Sequence, residues 1–205
     1  FHHAVADGRS GNELLRRLLD GIATHEHLRA DGGMSPLPPM HQVFPPRFRW
    51  TEQPDAAKRS KAGLIADYKR HGPLTPLSWL SSAIRTRKPR FIRLGFSSDV
   101  TQRLLALSRQ HGTSVHGAIC AAQLLAQCRL QMGDDPVTLF LSCPVDMRPL
   151  LEPVQPVAPT ALCMSLISAA FVLDSSTDFW VLARDVVVQT RKQLARGEGH
   201  LFFNM

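Results

Sequence analysis

The chain opens with Phe1-His2-His3-Ala4-Val5-Ala6-Asp7-Gly8, and the reading of these residues decides the fold. Histidine titrates near neutral pH, so it can take a proton from an alcohol or amine and later return it. A carboxylate four residues on can orient that imidazole or brace the loop that carries it. Gly8 permits backbone geometry that a Cβ restricts. Metal binding by His2, His3 and Asp7 is the rival chemistry. Adjacent side chains of a strand point to opposite faces, so His2 and His3 would not readily share one ion. On residue types alone the stretch is either a strand end with structural histidines, the commoner case, or the loop of a general base.

Outward from it, Ser10-Gly11-Asn12-Glu13 fits a capping box, with Ser10 and Glu13 satisfying each other's N–H groups. Leu14, Leu15, Leu18, Leu19 and Ile22 then fall on one helical face, which predicts a helix over 11–23 beginning directly after the histidines. Residues 31–54 carry six prolines and read as an extended surface segment or crossover. A short helix is expected around 56–69. Ile92, Leu94 and Phe96 alternate with Arg93, Gly95 and Ser97 and predict a half-buried strand. Ser98 opens a helix that stops before Gly112. Thr113 or Ser114 opens an alanine-rich second one that ends at Gly133, and such small residues predict close packing. Val137 to Cys143 and Leu162 to Leu173 read as strands. Ser176 or Thr177 caps a helix of about 178–196, and Leu201-Phe202-Phe203 reads as the start of a further element. The order gives an α/β fold with a mixed sheet.

Composition narrows the function classes. Of the 205 residues, 44% are hydrophobic and 20% charged, as in an ordinary globular protein. The longest apolar run, Leu166 to Leu173, is broken by Ser168 and falls far short of a membrane span, and no secretory leader is evident. Cys120, Cys128, Cys143 and Cys163 form no CxxC pair or zinc pattern, so they read as reduced, buried thiols of a cytoplasmic protein. The net charge of +7 concentrates at Lys58-Arg59-Ser60-Lys61 and Arg85-Thr86-Arg87-Lys88-Pro89-Arg90. No aromatic residues interleave with these runs, so nucleic acid is not an expected partner.

The His2-His3-Ala4-Val5-Ala6-Asp7-Gly8 stretch resembles the HHxxxDG motif of the chloramphenicol-acetyltransferase-like superfamily. That group includes peptide synthetase condensation domains, polyketide-associated acyltransferases and alcohol acyltransferases. Thr113-Ser114-Val115-His116-Gly117-Ala118 is similar to the start of the long helix in that fold's second lobe. Cys143-Pro144-Val145-Asp146-Met147-Arg148-Pro149 is similar to the segment after that lobe's next strand. Residues 31–90 match nothing specific.

The resemblance implies a two-lobe, mixed-sheet sandwich, incomplete here at both ends. Residues 1–60 would end the first lobe with its catalytic loop and helix, 61–90 would cross over, and 91–205 would begin the second. It implies His3 as general base, His2 as its structural support, and Asp7 pairing with Arg148 to hold the loop, with Asp146 competing for that arginine. Gly8 would be a turn residue, and no metal is implied. The implied co-substrate is an acyl-CoA or phosphopantetheinyl thioester, with no covalently bound cofactor. The partners are a small-molecule acceptor and, for a carrier-bound donor, an acyl carrier protein. The basic runs would help dock CoA phosphates or an acidic carrier protein. A condensation domain and a catalytically silent binding relative are the alternatives. A fragment lacking half of each lobe is expected to be inactive and poorly stable alone.

Overall fold

The computed structural model describes residues 6–24, 37–75, 88, 90–131, 135–155 and 161–204. They form an α/β arrangement of six α-helices and a two-stranded sheet: α1 (Gly8–Thr24), α2 (Pro54–Arg70), α3 (Ser98–Gln110), α4 (Val115–Gln131), β1 (Val137–Asp146), β2 (Met164–Leu173), α5 (Phe179–Ala195) and α6 (Glu198–Leu201). The Met147 N–H donates to the Cys163 carbonyl at 2.8 Å, so the end of β1 lies beside the start of β2, as in an antiparallel pair. No helix among the described residues is long and apolar enough to cross a membrane.

The chain divides into two compact units. One comprises Phe1–Leu64, Ser142–Ile167 and Gln193–Met205, the other Ile65–Leu141 and Ser168–Lys192.

In the first unit, α1 begins three residues before the predicted start. Asp7, not Ser10, is its N-cap: Oδ1 accepts the Ser10 N–H at 2.9 Å. Glu13 spends its carboxylate on Arg16 and Arg17 instead of closing a capping box. The proline-rich segment is a second correction. Two single 3-10 turns, Met40–Val43 and Pro46–Phe48, run through it, with Pro39 and Pro45 just ahead and Pro46 in first place. Proline is tolerated at the start of a turn, where its missing N–H would have no partner. The turns drive Val43, Phe44, Phe48 and Trp50 into the core, so residues 43–50 do not merely run over the surface. Phe44 packs with Met147 and Leu151, and Phe48 with Trp50 and Leu201. His200 joins the two clusters, stacked on Phe48 and edge-on to Phe44. Gly197 turns the chain into α6 with φ +74°, and a Cβ there would lie 2.4 Å from the Phe48 ring.

In the second unit, Ser97 caps α3, one residue before the expected cap, by accepting the Val100 N–H. Gly112 follows the helix at φ +66°, the expected stop. Ser114 caps α4 through the Gly117 N–H. The expected close packing is present: Ala118 and Ala121 are buried, and a Cβ on Gly117 would lie 2.6 Å from the Ala183 carbonyl of α5. Asp178, not Ser176 or Thr177, caps α5 by accepting the Val181 N–H, while both hydroxyls bond to Asp174 in the preceding turn. The strand expected at 91–97 does not form. Phe91, Ile92, Leu94 and Phe96 are exposed, and an alternating sequence becomes a strand only when a neighbour satisfies its backbone.

Candidate active site

His2 and His3 lie outside the described residues, and the structure resumes at Ala6. What is described is the Asp7-Gly8 end of the stretch and the contacts that hold it. Asp7 is buried where its chain enters α1, and both its oxygens are in use. Oδ1 accepts the Ser10 N–H, and Oδ2 accepts the Cys163 N–H at 2.8 Å. Its own N–H donates to the Ala161 carbonyl at 3.2 Å. Arg148 Nη1 reaches Asp7 Oδ2 at 2.9 Å, with the two side chains 2% and 5% exposed.

The same Nη1 lies 3.0 Å from Asp146 Oδ1, so both pairings open to Arg148 in the sequence coexist. The Arg148 N–H also donates to Asp146. The arginine stands in a single 3-10 turn, Arg148–Leu150, directly after β1, with Pro149 second in the turn. Arg9, in the first turn of α1, pairs with the other oxygen of Asp146 from the solvent side.

The electrostatics follow from these contacts. Burial opposes the charge on Asp7, but the Arg148 hydrogen bond and the Ser10 and Cys163 N–H groups outweigh it and hold the carboxyl below its ordinary pKa. Burial likewise works against the Arg148 cation, and Asp7 and Asp146 more than restore it. Burial pushes the Cys163 thiol up, as suits an inert buried cysteine. Asp7 and Asp146 are both committed to guanidinium groups, so neither offers an open ligand pair for a cation.

A cavity of about 280 Å³ opens beside this network, lined by Asp7, Gly8, Arg9, Asp146, Arg148 and Met164 among others. Gly8 is the first residue of α1 rather than a turn residue. A Cβ there would meet nothing within 4 Å, so glycine leaves the cavity wall open without being forced by a clash. Of the basic runs, Lys58, Arg59 and Lys61 lie exposed on α2, while Arg85–Arg87 lie outside the described residues.

Three contributors to this network were not read as part of it in the sequence. Ala161 and Cys163 act through their main chains, which no residue type announces. Ser10 was legible only as a helix cap, and the residue directly after Asp-Gly-Arg offered no signal of a long-range partner.

The fold that holds this network is that of the condensation-type acyltransferases. The structure of polyketide synthase associated protein 5 from Mycobacterium tuberculosis matches with a TM-score of 0.67 at 23% identity, over 98% of this chain and 49% of that one. The first condensation domain of the CDA synthetase matches with a TM-score of 0.61 at 16% identity, over 96% and 42%. The chain belongs to the phthiocerol/phthiodiolone dimycocerosyl transferase C-terminus family, whose model matches residues 85–202. Phthiocerol/phthiodiolone dimycocerosyl transferases of Mycobacterium tuberculosis and Mycobacterium leprae are each 30% identical over 96% of the chain. The chain spans about half the length of these relatives, 47% of each.

Proposed function

We propose that the protein is an acyltransferase that moves an acyl group from a CoA or carrier-protein thioester to an alcohol or amine. The single observation that carries this is the buried Asp7–Arg148 pair, which ties the end of the HHxxxDG stretch to the turn after β1. The names of the transferases it resembles support the same reaction class.

In this reading His3 takes the proton from the acceptor hydroxyl or amine as that atom attacks the thioester carbonyl. The tetrahedral intermediate collapses, the C–S bond breaks, and the thiol leaves with the proton that the imidazolium returns. His2 supports the ring of His3. Asp7 and Arg148 do no chemistry but keep the loop in place. Residues 1–60 complete a first lobe, 61–90 cross over, and 91–205 begin a second, in a mixed-sheet two-lobe sandwich. The enzyme acts in the cytoplasm on a small-molecule acceptor, and the exposed cations of α2 face the donor's phosphates or an acidic carrier protein.

The test is thiol release from acyl-CoA or acyl carrier protein by the full-length protein. His3→Ala abolishes turnover and leaves the fold intact. Asp7→Ala also loses turnover, because the loop is no longer held. Near-normal turnover by His3→Ala overturns the assignment. A condensation domain is the second reading, favoured by the fold it shares with the CDA synthetase domain. Turnover only with a carrier-bound aminoacyl acceptor would select it.

A further inference from the structure

Ser10 stands 2% exposed in the first turn of α1. Its hydroxyl donates to the Ala161 carbonyl at 3.0 Å and accepts from Arg148 Nη2 at 2.7 Å and from the Ala161 N–H at 3.3 Å. A serine oxygen has one hydrogen to give and two lone pairs, so its capacity is full. The partners come from segments 138 and 151 residues away.

This is an unusual post for a helical serine, whose hydroxyl ordinarily bonds back to its own helix or to water. Ser10 also touches the other member of the ion pair, because its N–H donates to Asp7 Oδ1. One residue therefore holds the carboxylate through its backbone and the guanidinium through its side chain.

The geometry of arginine gives that contact its consequence. A guanidinium is planar, so fixing Nη2 fixes where Nη1 points. With Nη2 on Ser10, Nη1 faces Asp7 and Asp146. Without the hydroxyl, Nη2 keeps only the Ala161 carbonyl at 3.4 Å, and the plane is free to turn toward Asp146, a partner open to solvent.

We propose that Ser10 is a positioning residue of the acyl-transfer site, whose hydroxyl locks the Arg148 guanidinium against Asp7 and thereby holds the loop that carries His3. The proposal rests on the reading of His3 as the base.

The test is steady-state acyl transfer by the full-length protein, at a temperature where every variant is folded. Ser10→Ala lowers kcat by about 10- to 100-fold, the scale of a small misplacement of a reacting group, while KM for the thioester stays within about two-fold. Combined with Arg148→Lys it costs less than the product of the two single losses, because both act through one contact.

Ser10→Thr, which returns the hydroxyl, recovers most of the activity. Ser10→Cys, which returns the volume with a weak acceptor, does not. The comparison of these two variants separates the hydroxyl from the volume of the side chain. Full activity of Ser10→Cys, or a Ser10→Thr as poor as Ser10→Ala, overturns the proposal. Loss of turnover in His3→Ala together with normal kcat in Ser10→Ala refutes this role alone. Retained turnover in His3→Ala removes the functional reading beneath it.

Discussion

Two buried residues make the acid stability of the first unit readable. His200 is 2% exposed between Phe44 and Phe48 and donates from Nε2 to the Leu150 carbonyl at 3.3 Å. Burial holds its pKa below the ordinary 6.5, and the nearby charge of Arg47 adds to this. A histidine kept neutral by the fold binds fewer protons than in the unfolded chain. Its stabilising contribution is therefore whole above pH 6.5 and is lost as pH falls through the lowered value. Asp7 has the same sign at a lower pH: its contribution is whole above 3.8 and is lost as the carboxyl is forced to protonate. Urea midpoints measured from pH 8 to pH 3 should fall in two stages, and His200→Gln should remove the upper one. A midpoint that does not change between pH 7 and pH 5 in the unsubstituted chain would refute the first stage. At this scale the acidic half of the pair was legible, since Asp7 follows two histidines at a loop-bracing distance. Its third anchor, the Cys163 N–H, was not, because a main-chain donor 156 residues away leaves no mark on residue type.

Element by element, the period of apolar residues located the helices, and the capping residues of α1, α3 and α5 were misplaced by one to three positions, while Ser114 caps α4 as expected. Asp7, Ser97 and Asp178 each displaced the neighbour that the pattern favoured, because several short polar residues near a helix start can all serve and the local turn selects one. The contact between α4 and α5 yields a test with competing signs. Gly117→Ala improves helix propensity by at most about 1 kcal/mol. The new methyl would lie 2.6 Å from the Ala183 carbonyl and 2.8 Å from Val187 Cγ2, contacts that real Cβ atoms do not make. Overpacking of that kind costs about 1–3 kcal/mol, so the variant should be less stable by urea denaturation despite the better helix former. A gain in stability would show that the two helices part at little cost.

For the whole molecule, the apolar residues that found no partner matter as much as those in the core. Leu14, Leu15, Leu18, Leu19 and Ile22 made α1 recognisable as an amphipathic helix, yet all five are exposed, between 46% and 63%. Phe91, Ile92, Leu94 and Phe96 are exposed as well, in a segment whose sequence has the alternation of a strand. Such a segment is a template for edge-to-edge pairing. The 205-residue chain should self-associate as its concentration rises. Ile92→Lys with Leu94→Lys should raise the concentration at which light scattering detects this, with stability changed by no more than about 0.5 kcal/mol. Scattering that the double substitution leaves unchanged would place the association elsewhere.

The sequence by itself determined where α1 to α5 lie, that the fold is α/β, and that a helix follows directly on Asp7. Those features rest on short-range periodicity and residue chemistry, which a linear chain carries in full. Only the tertiary structure decided that Val43, Phe44, Phe48 and Trp50 of the proline-rich segment enter a core, that residues 91–97 form no strand, and that Ser10 bonds to Arg148 and Ala161 instead of capping its own helix. Burial, strand pairing and long-range hydrogen bonds depend on which distant groups arrive at the same place, and no local pattern encodes that meeting.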